Sequence, residues 1–446
     1  MAEKKEQTSI PTSKIQRASR FVSTGAKVGG NYLKHYAKKA FNKDMDRSEL
    51  DADNAEDIYE SLSQLKGSAL KVAQMLSMDR NLLPQAYQDK FSMSQYSAPP
   101  LSYPLVVKTF KKQFKDSPEN IFDTFTKSAM NAASMGQVHQ ATKDGKKYAV
   151  KIQYPGVADS ITSDLKLVKP FAARLFNMSK AELDHYMSEV EGKLMEEADY
   201  SLELERSQEI TEAIGIQIEG LFFPKYYKEL SGDKIITMDW LEGMHMKEFL
   251  ATNPSQEVRD KIGQALWDFY DFQFHQLKQV HADPHPGNFL MNEKGEMGII
   301  DFGCVKEIPE DFYENYFSLL KPGFMEDKEE IDKRFKALEF FHEKDTVTER
   351  KVFNEVFLEM IGMLSKPFQY EQFDFGNNSF FEAIYAMGER VANMKEVRNG
   401  NGARGSRHGL YVNRTYFGLY NMLNQLDAVV DIKKPEWLKG KAVELA

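Results

Sequence analysis

The chain has 446 residues, 42% of them hydrophobic, with a formal net charge of −9 and one cysteine, Cys304. That is enough apolar material for a globular protein of two or three structural units, while a single cysteine excludes a disulfide framework and suits a reducing compartment. No run of 18 apolar residues occurs, and Met1-Ala2-Glu3-Lys4-Lys5 lacks the apolar core of a secretory signal, so the chain is expected neither to span a membrane nor to be exported.

Charge is unevenly placed, since residues 1–43 carry ten Lys/Arg against two Glu, a net +8 ahead of an acidic body. Such an arm can dock on anionic lipid or on an acidic partner, whereas its few aromatics and lack of a recognised module argue against nucleic acid. Residues 1–12 are polar and expected to be disordered. From Ser13, the apolar residues Ile15, Ala18, Phe21, Val22, Val28, Leu33 and Tyr36 recur at helical spacing among lysines and arginines. That basic amphipathic pattern suits a packed helix, a membrane-surface helix or a partner-binding one. Asp44 to Asn54 is expected as a charged linker, and Ala55 to Met78 as one long helix that carries Lys71 and Gln74 on one face. Prolines break up the following region before a short helix over Tyr103 to Phe114.

Three segments near Phe122 to Phe125, Gly136 to Ala141 and Tyr148 to Gln153 have strand patterning, the last two joined by the turn Lys143-Asp144-Gly145-Lys146. Within Tyr148-Ala149-Val150-Lys151-Ile152, Lys151 matches the phosphate-pairing lysine of the kinase third strand. Where a kinase has its glycine-rich loop, this chain has Asn131-Ala132-Ala133-Ser134-Met135-Gly136-Gln137. Alanine methyls there forbid the positive-φ freedom of glycine and give a stiffer phosphate cover. Helices are expected over Asp164 to Phe176 and Leu183 to Ala213. The second carries Glu197 and Asp199 and then Glu203, placed to pair with Lys151. Two strands follow, the second over Lys234 to Met238, and Met238-Asp239-Trp240-Leu241 reads as the hinge whose backbone binds adenine. Ile262 to Gln279, crowded with aromatics, is expected as a buried helix.

The stretch from His281 to Gly303 organises the rest. Asp283 and Asn288 stand five apart, the spacing of the Asp and Asn in the kinase catalytic loop, and Gly298-Ile299-Ile300 then leads into Asp301-Phe302-Gly303. The turn signal Asn292-Glu293-Lys294-Gly295 predicts a hairpin that brings Asn288 and Asp301 together. One amide and one carboxylate suit Mg²⁺ held jointly by protein and phosphate oxygens, which leaves Asp283 as the base. Beyond Cys304 the chain enters a helix near Phe312 with no long phosphorylatable loop, and residues 312–440 are expected as helices interrupted by the basic loop Asn399 to His408.

On these motifs the chain resembles the UbiB/AarF family of atypical protein-kinase-like proteins. The resemblance rests on Lys71-Val72-Ala73-Gln74, similar to the family's Lys-x-Gly-Gln, and on Ala132 to His139, similar to its alanine-rich loop. It rests also on Glu197-Ala198-Asp199, similar to its Glu-x-Asp, and on His281 to Asn288 with Asp301-Phe302-Gly303. It implies an α+β, two-lobed protein-kinase-like fold, with a small antiparallel-sheet N-lobe, a helical C-lobe and a helical N-terminal extension over the active site. In that arrangement Lys71 and Gln74 would meet Glu197 and Asp199 as regulatory residues. It implies ATP and Mg²⁺ as cofactors, a peripheral membrane or lipid-like partner, and a role in isoprenoid quinone biosynthesis or lipid homeostasis rather than ordinary protein phosphorylation. Ala73 in place of the family glycine and Asn131 in place of the first loop alanine are departures from the pattern.

The reading that follows divides the chain into a basic arm and linker (1–54), a helical extension (55–115), an N-lobe (116–242) and a C-lobe (243–446). Asp283, Lys151 and Glu203 would be catalytic and Asn288 with Asp301 would hold the metal. Ala132, Ala133, Ser134, Met135, Lys151 and Met238 to Leu241 would bind ATP. The expected location is cytoplasmic, peripheral on the inner membrane face, with protein partners in a biosynthetic complex and no nucleic acid. The alternatives are a small-molecule kinase of the aminoglycoside or choline type and a nucleotide-sensing pseudokinase scaffold.

Overall fold

The structure, a computed structural model, describes residues 19, 23–24, 27–35, 38, 48–65, 101–132, 135–176, 180–215, 218–320, 327–394 and 404–432. The expectations for residues 1–12, Lys71, Gln74, Ala133, Ser134 and residues 399–403 lie outside the described residues. The chain forms two compact units, one of residues 1–205 and 225–240, the other of residues 206–224 and 241–446.

The first unit is built on an antiparallel sheet. β1 (Thr124–Phe125), β2 (Asn131–Ala132), β3 (Gly136–Lys143), β4 (Lys146–Gln153) and β6 (Ile235–Asp239) pair in the order β1-β3-β4-β6, with β2 also on β3. Asp144 (φ 51°) and Gly145 (φ 76°) form the two-residue turn between β3 and β4, the positive-φ pair that the right-handed twist of a hairpin demands. The helix α2 (Tyr103–Phe114) has the predicted bounds, with proline in its first turn and left-handed Lys115 at its end. Placed by the sequence in the helical extension, it shares a core with the sheet. Its Val106 and Phe110 are buried with Phe122, Ala141, Tyr148, Val150 and Ile152.

Three boundaries differ from expectation. α1 (Ser48–Leu65) already includes much of the segment expected as linker. Leu50, Asn54 and Ile58 form a buried stripe at four-residue spacing that the surrounding acids conceal in the sequence, and those acids suit a helix N-terminus. α3 (Val157–Phe176) starts seven residues before Asp164, directly after left-handed Gly156. The single helix expected over Leu183 to Ala213 is two, α4 (Lys180–Glu197) and α5 (Tyr200–Ile214). The break falls at Asp199, whose Oδ1 accepts from the Ser201 and Leu202 amides at 3.1 Å each and so caps α5. Residues 27–35 of the basic arm are helical and packed against α1. Asn31 Nδ2 donates to Asn54 Oδ1 (3.2 Å) and Asp57 Oδ2 (2.8 Å), and Val28 lies against the core that Ala55 and Ile58 share with α3 and α4.

In the second unit a large aromatic core surrounds α7 (Gln256–Phe272), which follows α6 (Met246–Ala251) and buries Trp267, Phe269 and Tyr270. α7 does not run on to Gln279 as expected. It passes into one wide π-type turn, Gln273–Leu277, ends at left-handed Lys278 and gives way to β7 (Gln279–His281). β5 (Leu221–Phe222) runs parallel to β9 (Met297–Ile299), which pairs antiparallel with β8 (Phe289–Met291). β10 (Val305–Glu307) returns along β7. Then come α8 (Glu310–Phe317), α9 (Lys328–Ala337), α10 (Val347–Leu364), α11 (Asn378–Asn393) and α12 (Arg407–Gln425). This region is not wholly helical, because β11 (Gln372–Asp374) and β12 (Val429–Asp431) pair antiparallel across it. They are too short to stand out in the sequence. Among the described residues no helix is long and apolar enough to cross a membrane.

Candidate active site

Lys151 sits in the second half of β4, opposite Val138 on one side and Ile236 on the other. Its Nζ lies 2.6 Å from Glu203 Oε1 on α5, with side chains only 10% and 4% exposed. Removed from water, two opposite charges hold each other strongly because each would otherwise be a bare buried charge. The Lys151 ammonium also lies 5.2 Å from the centre of the Tyr200 ring, one turn before Glu203 on the same helix. Gly136 permits this packing, since a Cβ there would overlap the Tyr200 hydroxyl and lie 2.6 Å from the Ile152 carbonyl oxygen. Gln153 Nε2 donates to the Ala198 carbonyl at 2.7 Å, anchoring the junction of α4 and α5 to the same strand. The ion pair was legible in the sequence; Tyr200 and Gly136 as its supports were not.

The other residues assigned to ATP are placed as follows. Ala132 lies in β2 opposite Gln137, and Met135 is buried in the core that holds Tyr154, Val157 and Ile161, its carbonyl accepting from the Tyr154 amide at 2.9 Å. Met238 is likewise core, and the Asp239 carboxylate is held by Lys146 (2.7 Å) and the Tyr227 hydroxyl (2.8 Å). The amides of Asp239 and Trp240, both expected in the hinge, donate to the carbonyls of Lys225 and Lys147. Glu197 is half-buried near the end of α4 and Asp199 is spent as the cap of α5, while Lys71 and Gln74, expected beside them, lie outside the described residues.

In the second unit the β8–β9 hairpin forms as predicted. Phe289 pairs with Ile299, and the Ile300 amide donates to the Asn288 carbonyl at 3.1 Å, so Asn288 and Asp301 flank the last rung of one ladder. The turn closes with Gly295 at φ 84° and Asn292 Oδ1 accepting from the amides of Lys294 and Glu296. Asn288 Nδ2 donates to the Asp283 carbonyl at 3.0 Å, which leaves its amide oxygen as the acceptor end of the side chain. Asp301 Oδ1 accepts from the Gly303 amide at 2.8 Å. His281, buried, contacts the Asp301 carbonyl through Nε2 (2.8 Å) and the Tyr270 hydroxyl through Nδ1 (3.3 Å). Burial holds its pKa below the ordinary value although Asp283 and Asp301 pull the other way. A neutral imidazole tying the start of the loop to Asp301 is thus part of the scaffold.

The donor set fits a magnesium nucleotide. It is all oxygen, and among the described residues no cluster of three or more His, Cys, Asp or Glu side chains offers a closed cage, so phosphate oxygens and water would complete the shell. Sequence reasoning missed Arg414 on α12, whose Nη2 lies 2.8 Å from Asp283 Oδ1.

The sequence profile of the ABC1 atypical kinase-like domain matches residues 93–335. The chain is 28% identical over 381 residues to the probable serine/threonine-protein kinase abkA of Dictyostelium discoideum, covering 80% of this chain and 66% of that one. It is 27% identical over 405 residues to the mitochondrial atypical kinase COQ8B of Danio rerio, with 86% and 62% covered. It is 29% identical over 389 residues to the mitochondrial atypical kinase COQ8 of Saccharomyces cerevisiae, with 84% and 76% covered. The chain therefore spans less than two thirds of the length of two of these three relatives. Among solved structures, a complex of Rv3197 with erythromycin from Mycobacterium tuberculosis superposes with a TM-score of 0.56 at 26% identity, covering 89% of this chain and 97% of that one.

Proposed function

Since the chain belongs to the UbiB/AarF family of ABC1 atypical kinase-like proteins, with the α+β kinase-like fold, we propose that it binds ATP with Mg²⁺ and catalyses transfer or hydrolysis of the γ-phosphoryl group. The observation that carries this reading is the placement of Asp283, Asn288 and Asp301 on one loop and hairpin. Asn288 and Asp301 would hold the metal and Asp283 would orient or deprotonate the attacking oxygen. Lys151, kept in place by Glu203, would pair with the α and β phosphates. Bound Mg²⁺ would supply charge neutralisation at the phosphate oxygens. The resemblance to relatives named as COQ8 atypical kinases supports a role in quinone biosynthesis, and the basic arm supports attachment to anionic lipid; protein partners in a biosynthetic complex are part of the same proposal.

Thermal unfolding with ATP, with and without Mg²⁺, tests the site. A ligand at 100 times its dissociation constant that binds only the folded state stabilises by roughly 2.7 kcal/mol, a rise of a few degrees in the midpoint. Asp301→Asn keeps shape but removes the charge facing the metal, so the Mg²⁺-dependent part of the rise should vanish. Lys151→Ala should reduce the rise in both conditions. No rise in the wild type at millimolar ATP would overturn the nucleotide reading, and a full rise in Asp301→Asn would remove Asp301 from the metal site.

A further inference from the structure

The catalytic loop runs His281-Ala282-Asp283-Pro284-His285-Pro286-Gly287-Asn288 and contains no lysine or arginine. Of its two histidines, His285 has Nδ1 accepting from the Gly287 amide at 3.0 Å, and His281 is turned to the Asp301 carbonyl and the Tyr270 hydroxyl. The loop itself therefore offers Asp283 no lysine or arginine.

A distant helix does. Along α12, residues 411, 414 and 418 stand at spacings of three and four and form one stripe. Lys306, two residues beyond Cys304 on β10, places its Nζ 4.9 Å from the Tyr411 ring. The Arg414 Nη2 meets Asp283 Oδ1 at 2.8 Å, with both side chains about four-fifths buried. At Gly418 a Cβ would come within 2.8 Å of Pro284 Cβ and 3.0 Å of the Pro284 carbonyl oxygen, so only glycine lets the helix lie this close to the loop. The stripe therefore touches the segment after Asp-Phe-Gly and two consecutive residues of the catalytic loop. Behind it, Leu419, Tyr420 and Leu423 are fully sunk in the core and fix the helix. Burial of the Tyr270 hydroxyl nearby raises its pKa well above the usual value, with Asp283 adding to that and Arg414 opposing it, as expected for charges packed around one point.

We infer that Arg414 is the positioning residue for Asp283, supplying from α12 the cation that the catalytic loop lacks. The planar guanidinium fixes the carboxylate rotamer by a charge-assisted hydrogen bond, while Gly418 sets the distance at which this can happen. This inference rests on the proposed ATP chemistry and assigns the helix its part in it.

The experiment measures steady-state ATP hydrolysis, the MgATP-dependent melting shift and the ligand-free melting point for the full chain and for Arg414→Met, Arg414→Lys and Gly418→Val. Misplacing a catalytic group by about 1 Å costs on the order of 100-fold, so kcat of Arg414→Met should fall by about that factor while KM for ATP and the MgATP shift stay near wild type. Arg414→Lys should recover a large part of the lost kcat, because a compact cation still reaches the carboxylate. Gly418→Val should lower kcat with Arg414 intact. If Arg414→Met hydrolyses ATP as fast as wild type or faster, the inference is wrong. The same holds if Lys and Met variants lose kcat equally and in step with their melting points, which is the behaviour of a merely structural residue. A wild type that neither shifts nor hydrolyses would instead refute the ATP reading itself, so the two failures are separable.

Discussion

Replacing one partner of the Lys151–Glu203 pair should be far more damaging than replacing both. At 2.6 Å, and with an effective dielectric constant of about 20, the attraction between unit charges is roughly 6 kcal/mol, most of it spent on stripping the two groups of water. Glu203→Leu leaves an ammonium that is nearly buried with the Tyr200 ring at 5.2 Å, which returns about 2 kcal/mol. Lys151→Met leaves a carboxylate buried on α5. Each single variant is therefore expected to lose about 3–5 kcal/mol, whereas Lys151→Met with Glu203→Leu should lie much closer to wild type. Because the chain has two units, a global unfolding curve would blur the effect. Amide exchange at Val150 and Ile152, flanking Lys151 on β4, reports the opening free energy locally. If both single variants lose less than about 1 kcal/mol at these amides and their effects simply add, the pair is not coupled and the account of its burial fails.

The second unit should lose stability in acid through His275, whose pKa burial lowers to about 3. The unfolded chain takes up the proton below an ordinary value of about 6.5, so the stabilisation is complete above that pH and drains away as pH falls towards 3, by about 2 kcal/mol at pH 5. His275→Gln, which keeps a partner for the Tyr313 hydroxyl now 2.9 Å from Nδ1, should flatten the stability profile between pH 7.5 and 5, and an unchanged slope on urea titration would contradict this. Peptides should not be phosphorylated in trans, because the residues after Gly303 pair at once with β7 and enter α8 at Glu310, leaving no platform for a peptide. Transfer to a peptide library at ~1–100 per second would overturn that expectation. Deleting residues 1–43 should abolish flotation with anionic vesicles at low salt, as each basic residue near such a surface contributes roughly 1 kcal/mol; undiminished flotation would assign the arm to packing alone.

What could be read from the sequence was carried by local rules. Asp144-Gly145 and Asn292 to Gly295 are turn chemistry with one physical solution each, and both hairpins formed where they were expected. The β8–β9 turn brings Asn288 and Asp301 to one end of a ladder, so the candidate metal site was legible once the turn was. Lys151 and Glu203 were legible because a strand lysine in an apolar run and a helical glutamate have few ways to be buried except together. Where a local signal misled, another interaction outweighed it. Acidic residues around Leu50 looked like linker but extend a helix that buries Leu50, Asn54 and Ile58, and Asp199 ended α4 without any glycine or proline by capping the next helix.

Arg414 marks the boundary of this kind of reading. It stands 131 residues from Asp283, and a lone arginine on an amphipathic helix usually signifies nothing beyond a solvated face. The helical spacing of Tyr411, Arg414 and Gly418 is visible in the sequence, but its meaning depends on which surface that stripe meets. That is decided by the apolar residues on the other side of the same helix, where Leu419, Tyr420 and Leu423 enter the core formed around Trp267. Burial of one face thereby dictates the placement of the other, and a glycine that costs helix stability in isolation is retained where a methyl group would push Arg414 off its carboxylate. On this view the intrinsic cost of Gly418, about 1 kcal/mol relative to alanine in an exposed helix, is offset by contact with Pro284. Gly418→Ala should then fail to stabilise the chain as the same change would on a free helix face.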